Sequence, residues 1–561
     1  MNLSPHLLAS CCALFLVGCG VSPPPEPDPG PAPSDCAPEE QGLQGFSRVE
    51  GAWGLATGLE PPVTGNSAQA GLIVSDLDGD GDLDVLMGRA NEHPGPGPYR
   101  GLPRVFSNQE GRFTEVFQEE RPTEFYLGPA AGVLAVDLTG DRLPELIRFG
   151  EGWFDWLENQ GDLTWGPRNL VLESPPGPDG PLSSVGPRIN AMSAGDVDGD
   201  GDLDLLVTSL QVIHQDSPSA LGGQGSLPDA YPHQLYGNED GVFVLWEELD
   251  PYEDGSYSQL AVFTDRDSDG DQDIYLLSEY GGLPGAAPSA FWRNDGVDGE
   301  GRPSLTNDAV EMNADIGVGG MGFDSADLNG DGLLDYCIIQ FGPTYCLFSD
   351  AGGPYYDAAT AIGLQIPADA MPTGGPPPWS GYSLELVDLD LDGDLDAAVS
   401  AANPSPEAAD THVDRIYEQV DGQFVERSQE LDFNDSGRHY GLVAADLDGD
   451  GSLEILISTK EADPILWTHA CPTGSWVEVD LIGPPGNREG HGAQVRLEAG
   501  GRVQVEELYN LRTLGQGPAR IHFGLGDAEV IDRIEVLWPG GQVDLWEDLA
   551  ARQTISLAYG G

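Results

Sequence analysis

The sequence predicts an all-β protein: a seven-bladed β-propeller with acidic hairpin loops, followed by a small C-terminal β domain. Three observations support this prediction. An acidic pattern, D-x-D-x-D-G-x-x-D or a close variant, recurs seven times, short apolar runs flank each copy, and an aromatic phrase follows several copies about 40 residues downstream. About four strand-like runs in a period of about 60 residues are typical of one propeller blade.

The acidic pattern has a nearly constant period. Its copies begin 58 to 69 residues apart, at Asp76, Asp137, Asp196, Asp265, Asp327, Asp388 and Asp446. Two copies are degenerate: the second keeps only its first and third acids before Glu145, and the last one ends in Glu454. In the fifth copy, Asn329 replaces the second aspartate. Seven such periods indicate a closed ring of seven blades.

The runs that flank each acidic copy have the composition of short β-strands. Residues 70–74 (AGLIV) precede the first copy and residues 83–87 (LDVLM) end it, with Gly and Asp turn signals between them. The phrase N-x-x-G-x-F follows at Asn108 and Asn238, with a strand-like run after it. Residues 46–49 (FSRV) resemble that last run. We therefore expect them to complete the last blade and close the ring.

The N-terminal segment has the features of an export signal. Its apolar run at residues 7–17 is too short to cross a bilayer core of ~30 Å, and it ends in the tetrapeptide LVGC at residues 16–19. This tetrapeptide resembles the lipobox of bacterial lipoproteins, which implies a signal peptide at 1–18 and lipidation of Cys19. Residues 19–45 then form a Pro-rich acidic tether. We expect a protein anchored to the cell envelope, in the outer membrane or at the cell surface, with plain secretion as the alternative.

Four cysteines remain beyond the signal region, an even number that favours disulfides in an exported chain. Four cysteines allow three pairings, and the sequence does not choose between them. We favour Cys337 with Cys346, which would face each other across a short hairpin. Cys36 with Cys471 would then join the two ends of the repeat region.

The charge of the chain limits its partners. Its formal net charge of −70 arises from 94 acidic and 24 basic residues. Such a field repels nucleic acid and anionic lipid headgroups, so contact with a membrane is expected only through a lipid anchor. Because 39% of the residues are hydrophobic, a folded chain is favoured over a disordered one. The carboxylates therefore need water, salt or bound cations to offset their repulsion.

The acidic copies have the composition of calcium-binding loops. Carboxylates at positions 1, 3, 5 and 9, with a glycine at position 6 and a backbone carbonyl at position 7, supply the hard oxygen ligands that Ca²⁺ prefers. Magnesium is less favoured because it requires stricter octahedral geometry. An EF-hand is excluded because position 12 is apolar and lies in a strand-like run, where an EF-hand requires a glutamate.

About six calcium sites are predicted, and the loop at Asp137 is the exception because Thr139 and Arg142 weaken its charge. The predicted ligands are Asp76, Asp78, Asp80, Asp82 and Asp84 in the first loop; Asp137, Asp141 and Glu145 in the second; Asp196, Asp198, Asp200, Asp202 and Asp204 in the third; Asp265, Asp267, Asp269, Asp271 and Asp273 in the fourth; Asp327, Asn329, Asp331, Leu333 and Asp335 in the fifth; Asp388, Asp390, Asp392, Asp394 and Asp396 in the sixth; and Asp446, Asp448, Asp450, Ser452 and Glu454 in the seventh.

These loops and phrases resemble the FG-GAP or VCBS repeats of secreted proteins, a class that includes the integrin α-subunit propeller. They place the propeller at residues 46–470. Residues 474–558 resemble the ASPIC/UnbV domain that follows such repeats in the cartilage acidic protein family. The matching phrases are WVEVDL at 476–481, NREGHGA at 487–493, IHFGLG at 521–526 and VLWPGG at 536–541. His491 stands where that family usually has a small apolar residue.

The favoured function is a surface binding or adhesion scaffold for a protein or glycan partner, with contact loops at residues 211–233 and 365–382. The first alternative is a carbohydrate-active lyase or hydrolase, for which His214, His233 and His439 would have to converge. The sequence contains no G-x-S-x-G, H-E-x-x-H or C-x-x-C-H motif, so catalysis is the less favoured class. A structural envelope protein is the second alternative.

Overall fold

The computed structural model describes most of the chain after residue 41. The described residues are 42–43, 45–55, 71–87, 104–116, 130–150, 153–173, 188–210, 232–239, 241–249, 258–279, 281, 287–340, 342–349, 352–365, 381–402, 413–459, 463–469, 473–510 and 515–561. The predicted signal peptide, Cys19, Cys36, Cys471 and most of the tether therefore lie outside these ranges.

The described secondary structure is β apart from one 3₁₀ helix at Glu50–Gly54. Within the described ranges, no helix has the length and apolarity needed to cross a membrane. The all-β prediction is therefore confirmed.

Seven antiparallel sheets, here called blades 1 to 7, account for the described residues up to residue 469. The strands, in chain order, begin with β1 (Phe46–Arg48). Blade 1 contains β2 (Leu72–Ser75), β3 (Asp84–Met87), β4 (Arg104–Gln109) and β5 (Arg112–Glu115). Blade 2 contains β6 (Ala130–Val136), β7 (Glu145–Gly150), β8 (Trp153–Asn159) and β9 (Trp165–Glu173). Blade 3 contains β10 (Arg188–Gly195), β11 (Asp204–Leu210), β12 (His233–Glu239) and β13 (Val242–Leu249).

The remaining blades repeat this order. Blade 4 contains β14 (Ser258–Thr264), β15 (Asp273–Ser278), β16 (Ala290–Val297) and β17 (Pro303–Asn307). Blade 5 contains β18 (Gly320–Ala326), β19 (Asp335–Gln340), β20 (Tyr345–Phe348) and β21 (Tyr356–Asp357). Blade 6 contains β22 (Gly381–Val387), β23 (Asp396–Ala401), β24 (Arg415–Val420) and β25 (Gln423–Glu426). Blade 7 contains β26 (His439–Ala445), β27 (Glu454–Thr459), β28 (Ile465–His469) and β1.

The blades pack face to face around a ring. Their first and second strands are nearly continuous buried runs, as in β14, β15, β18 and β19, because both faces of each sheet are covered by neighbouring blades. Separate apolar cores lie between each pair of adjacent blades. One of them joins Val443 and Leu456 of blade 7 to Leu72 and Phe106 of blade 1, so the ring is closed.

Ring closure follows the prediction from residues 46–49. β1 pairs antiparallel with β28, and Phe46, Ser47 and Arg48 lie opposite His469, Thr468 and Trp467. The Phe46 ring packs against Phe433 with a centroid separation of 5.3 Å. The N-terminal strand thus completes the blade that is last along the chain.

Cys337 of β19 lies directly opposite Cys346 of β20, and the two residues form a disulfide. Both cysteines are fully buried in the apolar core between blades 5 and 6. The disulfide therefore links two neighbouring strands of one blade.

A C-terminal β domain follows the propeller. Its strands are β29 (Ser475–Ile482), β30 (Gln494–Ala499), β31 (Arg502–Glu507), β32 (Gly515–Gln516), β33 (Arg520–Gly526), β34 (Val530–Leu537), β35 (Val543–Ala550) and β36 (Gln553–Ala558). Sheets β33-β29-β36 and β31-β30-β34-β35 enclose one core that includes the buried residues Val477, Phe523 and Trp538. β32 leaves this domain and pairs in parallel with β2 of blade 1.

Candidate metal centres

Each acidic copy lies on the hairpin between the first and second strands of its blade. These hairpins, loops 1 to 7, comprise residues 76–84, 137–145, 196–204, 265–273, 327–335, 388–396 and 446–454. The first strands of all blades run in the same direction along the central axis of the propeller. The loops that follow them therefore lie on one face. In six loops, position 6 is a glycine in the left-handed backbone conformation. In loop 2, Arg142 occupies this position with φ 71°.

The carboxylate at position 9 is the most deeply fixed ligand. In loop 1, Asp84 Oδ2 accepts the Leu77 N–H at 3.0 Å and Oδ1 accepts the Asn108 N–H at 2.9 Å. In loop 3, Asp204 accepts the Val197 and Asn238 N–H groups in the same way, at 3.0 and 2.9 Å. One backbone group of the loop and one of the third strand of the blade therefore hold this side chain in place.

The carboxylates at positions 1 and 5 organise the turn itself. In loop 6, Asp388 accepts the N–H groups of Asp392 and Gly393 at 3.1 and 2.7 Å. Asp392 at position 5 accepts the Asp394 N–H at 3.0 Å. The loop is wrapped around its own carboxylates, and their remaining oxygen lone pairs are available to a cation.

Five loops bring three carboxylate oxygens within 4.8 Å of one another. Each of these clusters could hold a metal ion. The clusters are Asp76, Asp78 and Asp84; Asp196, Asp198 and Asp204; Asp265, Asp267 and Asp269; Asp388, Asp390 and Asp396; and Asp446, Asp448 and Glu454.

The other two loops, among the described residues, form no such carboxylate cluster. Loop 2 lacks an acid at position 3, where it has Thr139. Loop 5 has Asn329 at that position, whose amide oxygen is a ligand type that calcium also accepts. Loop 4 differs in another way: Arg266 Nε lies 3.5 Å from Asp273 Oδ2, so the position 9 carboxylate is partly neutralised by the protein.

Burial and mutual repulsion hold these carboxyl groups far from their ordinary titration range. Burial, with the neighbouring charges of Asp198 and Asp200, raises the pKa of Asp196 to about 8. Burial raises the pKa of Asp84 to about 7 and that of Asp335 to about 8. The clusters therefore carry an energetic cost at neutral pH that a cation would remove.

This cost predicts that, in the presence of a chelator, the free energy of unfolding decreases as the pH rises. Because the folded pKa values of Asp196 and Asp335 lie near 8 and the ordinary value is 3.8, the folded chain binds more protons than the unfolded chain between these limits. The free energy of unfolding in chelator should therefore rise as the pH falls from 8 to 5. Urea midpoints measured across this range would check the sign. A midpoint that instead rises with pH would contradict this account.

The donor set fits a hard cation. All predicted side-chain ligands are oxygens, and Asp196 Oδ1 is buried without a hydrogen-bond partner. An uncompensated buried carboxylate oxygen is costly unless a metal ion or water meets it. The clusters at loops 1, 3, 6 and 7 share positions 1, 3 and 9, which is one repeated geometry.

The asparagine of the aromatic phrase has a role that the sequence analysis did not assign. Asn108 donates its backbone N–H to Asp84, and its side-chain amide donates to the carbonyls of Leu83 (3.0 Å) and Leu447 (2.8 Å). It therefore ties loop 1 to loop 7 of the adjacent blade. Asn159 of β8 and Asn294 of β16, which lie in the third strands of blades 2 and 4, link loops in the same way.

The two described histidines of the catalytic alternative lie in separate blades. His233 begins β12 in blade 3, where burial lowers its pKa to about 4. His439 begins β26 in blade 7, and its Nδ1 lies 2.7 Å from Asp414 Oδ2. Blades 3 and 7 are not adjacent, so these two side chains do not converge. His214 lies outside the described residues.

Comparisons with known proteins agree with this architecture. Residues 483–561 match the family described as ASPIC and UnbV, and residues 137–207 and 388–457 match the FG-GAP-like repeat. The fold is thus a β-propeller, and two segments of it match the FG-GAP-like repeat. The chain carries FG-GAP-like repeats and a C-terminal ASPIC/UnbV domain, as the sequence predicted.

Several solved structures are similar to parts of this chain. An Agrocybe aegerita lectin that recognises non-reducing terminal N-acetylglucosamine is 16% identical, with 75% of this chain and 94% of that chain covered and a TM-score of 0.39. BBS1N in complex with ARL6DN is 11% identical, with coverages of 74% and 96% and a TM-score of 0.41. The Dos1 propeller is 8% identical, with coverages of 69% and 75% and a TM-score of 0.35. A search of curated proteins returned no match.

Proposed function

We propose that this protein is a calcium-binding, envelope-anchored propeller that serves as a binding scaffold for a protein or glycan partner outside the cytoplasm. The observation that carries the proposal is the convergence of three carboxylate oxygens in each of five loops, four of which use the same positions 1, 3 and 9. Hard oxygen ligands in a flexible turn suit Ca²⁺ better than Mg²⁺, which demands near-ideal octahedral geometry.

The metal would stabilise the propeller by binding the folded chain in preference to the unfolded one. In loop 6, Asp388 and Asp396 are fully buried and Asp390 nearly so, and these three side chains would hold the ion. When bound, calcium supplies positive charge that offsets their repulsion. Extracellular calcium modules bind at roughly 10⁻⁴ to 10⁻³ M, which suits a protein outside the cytoplasm.

The predicted contact loops at residues 211–233 and 365–382 would form the partner-binding surface of this scaffold. Both contact loops lie mostly outside the described residues. Their described flanks are Leu210 at the end of β11, His233 at the start of β12 and Gly381 at the start of β22. These strand ends lie at the opposite end of their hairpins from the metal loops. A partner bound there would leave the calcium sites intact.

Thermal unfolding of residues 36–561 tests calcium binding. We expect the melting temperature to be higher in millimolar Ca²⁺ than in chelator. A free Ca²⁺ concentration of about 100 times the dissociation constant of one site adds about 2.7 kcal/mol to the free energy of unfolding. Equimolar Mg²⁺ is the control and should give a smaller rise. An equal response to both ions, or no response to either, would contradict the calcium proposal. Mass spectrometry of the mature N-terminus would separately test lipidation of Cys19.

A further inference from the structure

The C-terminal domain, residues 475–558, lies directly on the face of the propeller that carries the metal loops. It contacts loops 2 to 7, and backbone groups of loops 2, 4, 5, 6 and 7 form hydrogen bonds with it. Loop 3 forms a β-bridge with the domain between Asp202 and Gly486. Within the described ranges, loop 1 makes no hydrogen bond or ion pair with this domain. The contact surface therefore includes the turns that surround the candidate metal centres.

The backbone N–H group at position 1 of the metal loops makes a contact with the C-terminal domain that recurs from loop to loop. In three loops it donates to an oxygen of the C-terminal domain. The bonds run from Asp137 to Glu489 Oε2 (2.9 Å), from Asp265 to Glu507 Oε1 (2.8 Å) and from Asp327 to the Val505 carbonyl (3.2 Å). In loop 4, Asp265, whose carboxylate would bind the metal, thus also binds the domain through its backbone N–H.

Loop 4 links the metal centre to the domain through its position 6 glycine. The Gly270 N–H donates to Asp265 Oδ2 at 2.8 Å, and the Gly270 carbonyl accepts the Gly540 N–H at 2.8 Å. In addition, Gln494 of the domain donates to the Asp265 carbonyl and accepts the Ser268 hydroxyl at 2.8 Å. Any change in the loop 4 turn therefore displaces groups that the domain binds.

Loop 7 repeats this arrangement. Asp446 Oδ2 accepts the Gly451 N–H at 2.7 Å, and His522 Nε2 donates to the Gly451 carbonyl at 3.0 Å. Without a cation, the clustered carboxylates repel one another, and the turn gains by opening. Opening would move the Gly451 carbonyl away from His522, so metal loss and loss of the domain contact have a common cause.

A central segment of the domain also enters the ring. It consists of residues 507–510 and 515–516. The Asn510 amide pairs with both backbone groups of Ala194 in β10, accepting at 3.1 Å and donating at 2.7 Å. Gln516 binds both backbone groups of Ala135 in β6 in the same way. These contacts reach the first strands that line the centre, so the domain fits only a correctly closed ring.

We propose that the C-terminal domain is the resident partner of the metal-loop face and that its docking depends on metal bound in the candidate centres of loops 3, 4, 6 and 7. Metal removal should then release the domain and expose the loop face. This inference rests on the proposed calcium binding and adds to it a specific intramolecular contact that the metal controls.

The test uses the full chain with a specific protease site inserted between Pro472 and Thr473. After cleavage in millimolar Ca²⁺, we expect the C-terminal fragment to co-elute with the propeller in size-exclusion chromatography. In chelator, it should elute separately. Circular dichroism of the same samples would show that the propeller keeps its β structure.

Two matched variants separate docking from general stability. Asp267→Ala removes the position 3 ligand of loop 4, which binds the domain, and Asp78→Ala removes the same ligand from loop 1, which does not. In calcium, we expect Asp267→Ala to weaken retention of the fragment about tenfold, the effect of losing one or two hydrogen bonds. Asp78→Ala should leave retention unchanged.

Metal analysis of the eluted propeller distinguishes the two proposals. A fragment that stays bound after calcium has left would overturn the docking inference and leave calcium binding intact. Equal release by Asp78→Ala and Asp267→Ala would also overturn it. A propeller that takes up no calcium would overturn both proposals. If the chelator unfolds the chain, the comparison of the two variants in calcium decides the matter.

Discussion

Replacing Asp396 with asparagine is expected to destabilise the calcium-loaded protein by about 3 kcal/mol. Its two oxygens accept the N–H groups of Leu389 (3.2 Å) and Gln419 (2.9 Å). An amide would present its own NH₂ to one of these donors, and an unsatisfied buried donor costs about 1–3 kcal/mol. The variant also removes a ligand of the loop 6 cluster. Urea unfolding in calcium would measure the loss.

The same substitution should cost less in chelator, because it removes one negative charge from a buried cluster. Asp390→Asn is the matched control, since loop 5 naturally carries Asn329 at the equivalent position. We expect its cost in calcium to stay within about 1 kcal/mol, as the amide oxygen can still bind the ion. If Asp396→Asn were as mild as Asp390→Asn in calcium, position 9 would not be the principal ligand.

Replacing Asp155 with alanine is expected to cost about 3–5 kcal/mol, with or without calcium. Asp155 forms a two-bond ion pair with Arg148, with Nε to Oδ1 at 2.8 Å and Nη2 to Oδ2 at 3.0 Å. The side chains are 0% and 2% exposed, so the variant leaves a buried guanidinium without this carboxylate. Denaturant unfolding would measure the effect.

Two controls test this explanation. The double variant Arg148→Met with Asp155→Leu replaces both charges and should recover most of the lost stability. Glu535→Ala removes the partner of Arg533 in a pair whose side chains are 41% and 32% exposed, and it should cost less than about 1 kcal/mol. A double variant as unstable as Asp155→Ala would show that the loss arises from packing and not from the buried charge.

Much of the propeller could be predicted because its determinants are local in sequence. Carboxylates at fixed spacing within nine residues make a turn, and the apolar runs beside them make its strands. Ring closure was predictable for the same reason, since residues 46–49 resemble the outer strand at residues 113–116. Each of these inferences needed only a short segment compared with its own repeats.

The docking of the C-terminal domain could not be predicted in this way. Glu489 and Glu507 accept hydrogen bonds from backbone N–H groups of the loops. Every residue except proline has such a group, so the residue types do not indicate which one is bound. Loop 4 shows a related difficulty, because Asp273 matches the pattern and yet also faces Arg266, which pairs with the distant Asp308. Tertiary packing determines whether a carboxylate of the acidic pattern also pairs with a basic side chain.

The pairing of β1 with β28 has a consequence for synthesis of the chain. β1 emerges first among the described strands, yet its partner is residues 465–469, so it stays unpaired until nearly the whole propeller has been made. A truncated chain that stops before this point would keep an open ring with an unpaired edge, which favours aggregation. The central segment comes later still and reaches the inner strands of several blades. Docking of the C-terminal domain on these strands thus requires that blades 1 to 3 have already been made.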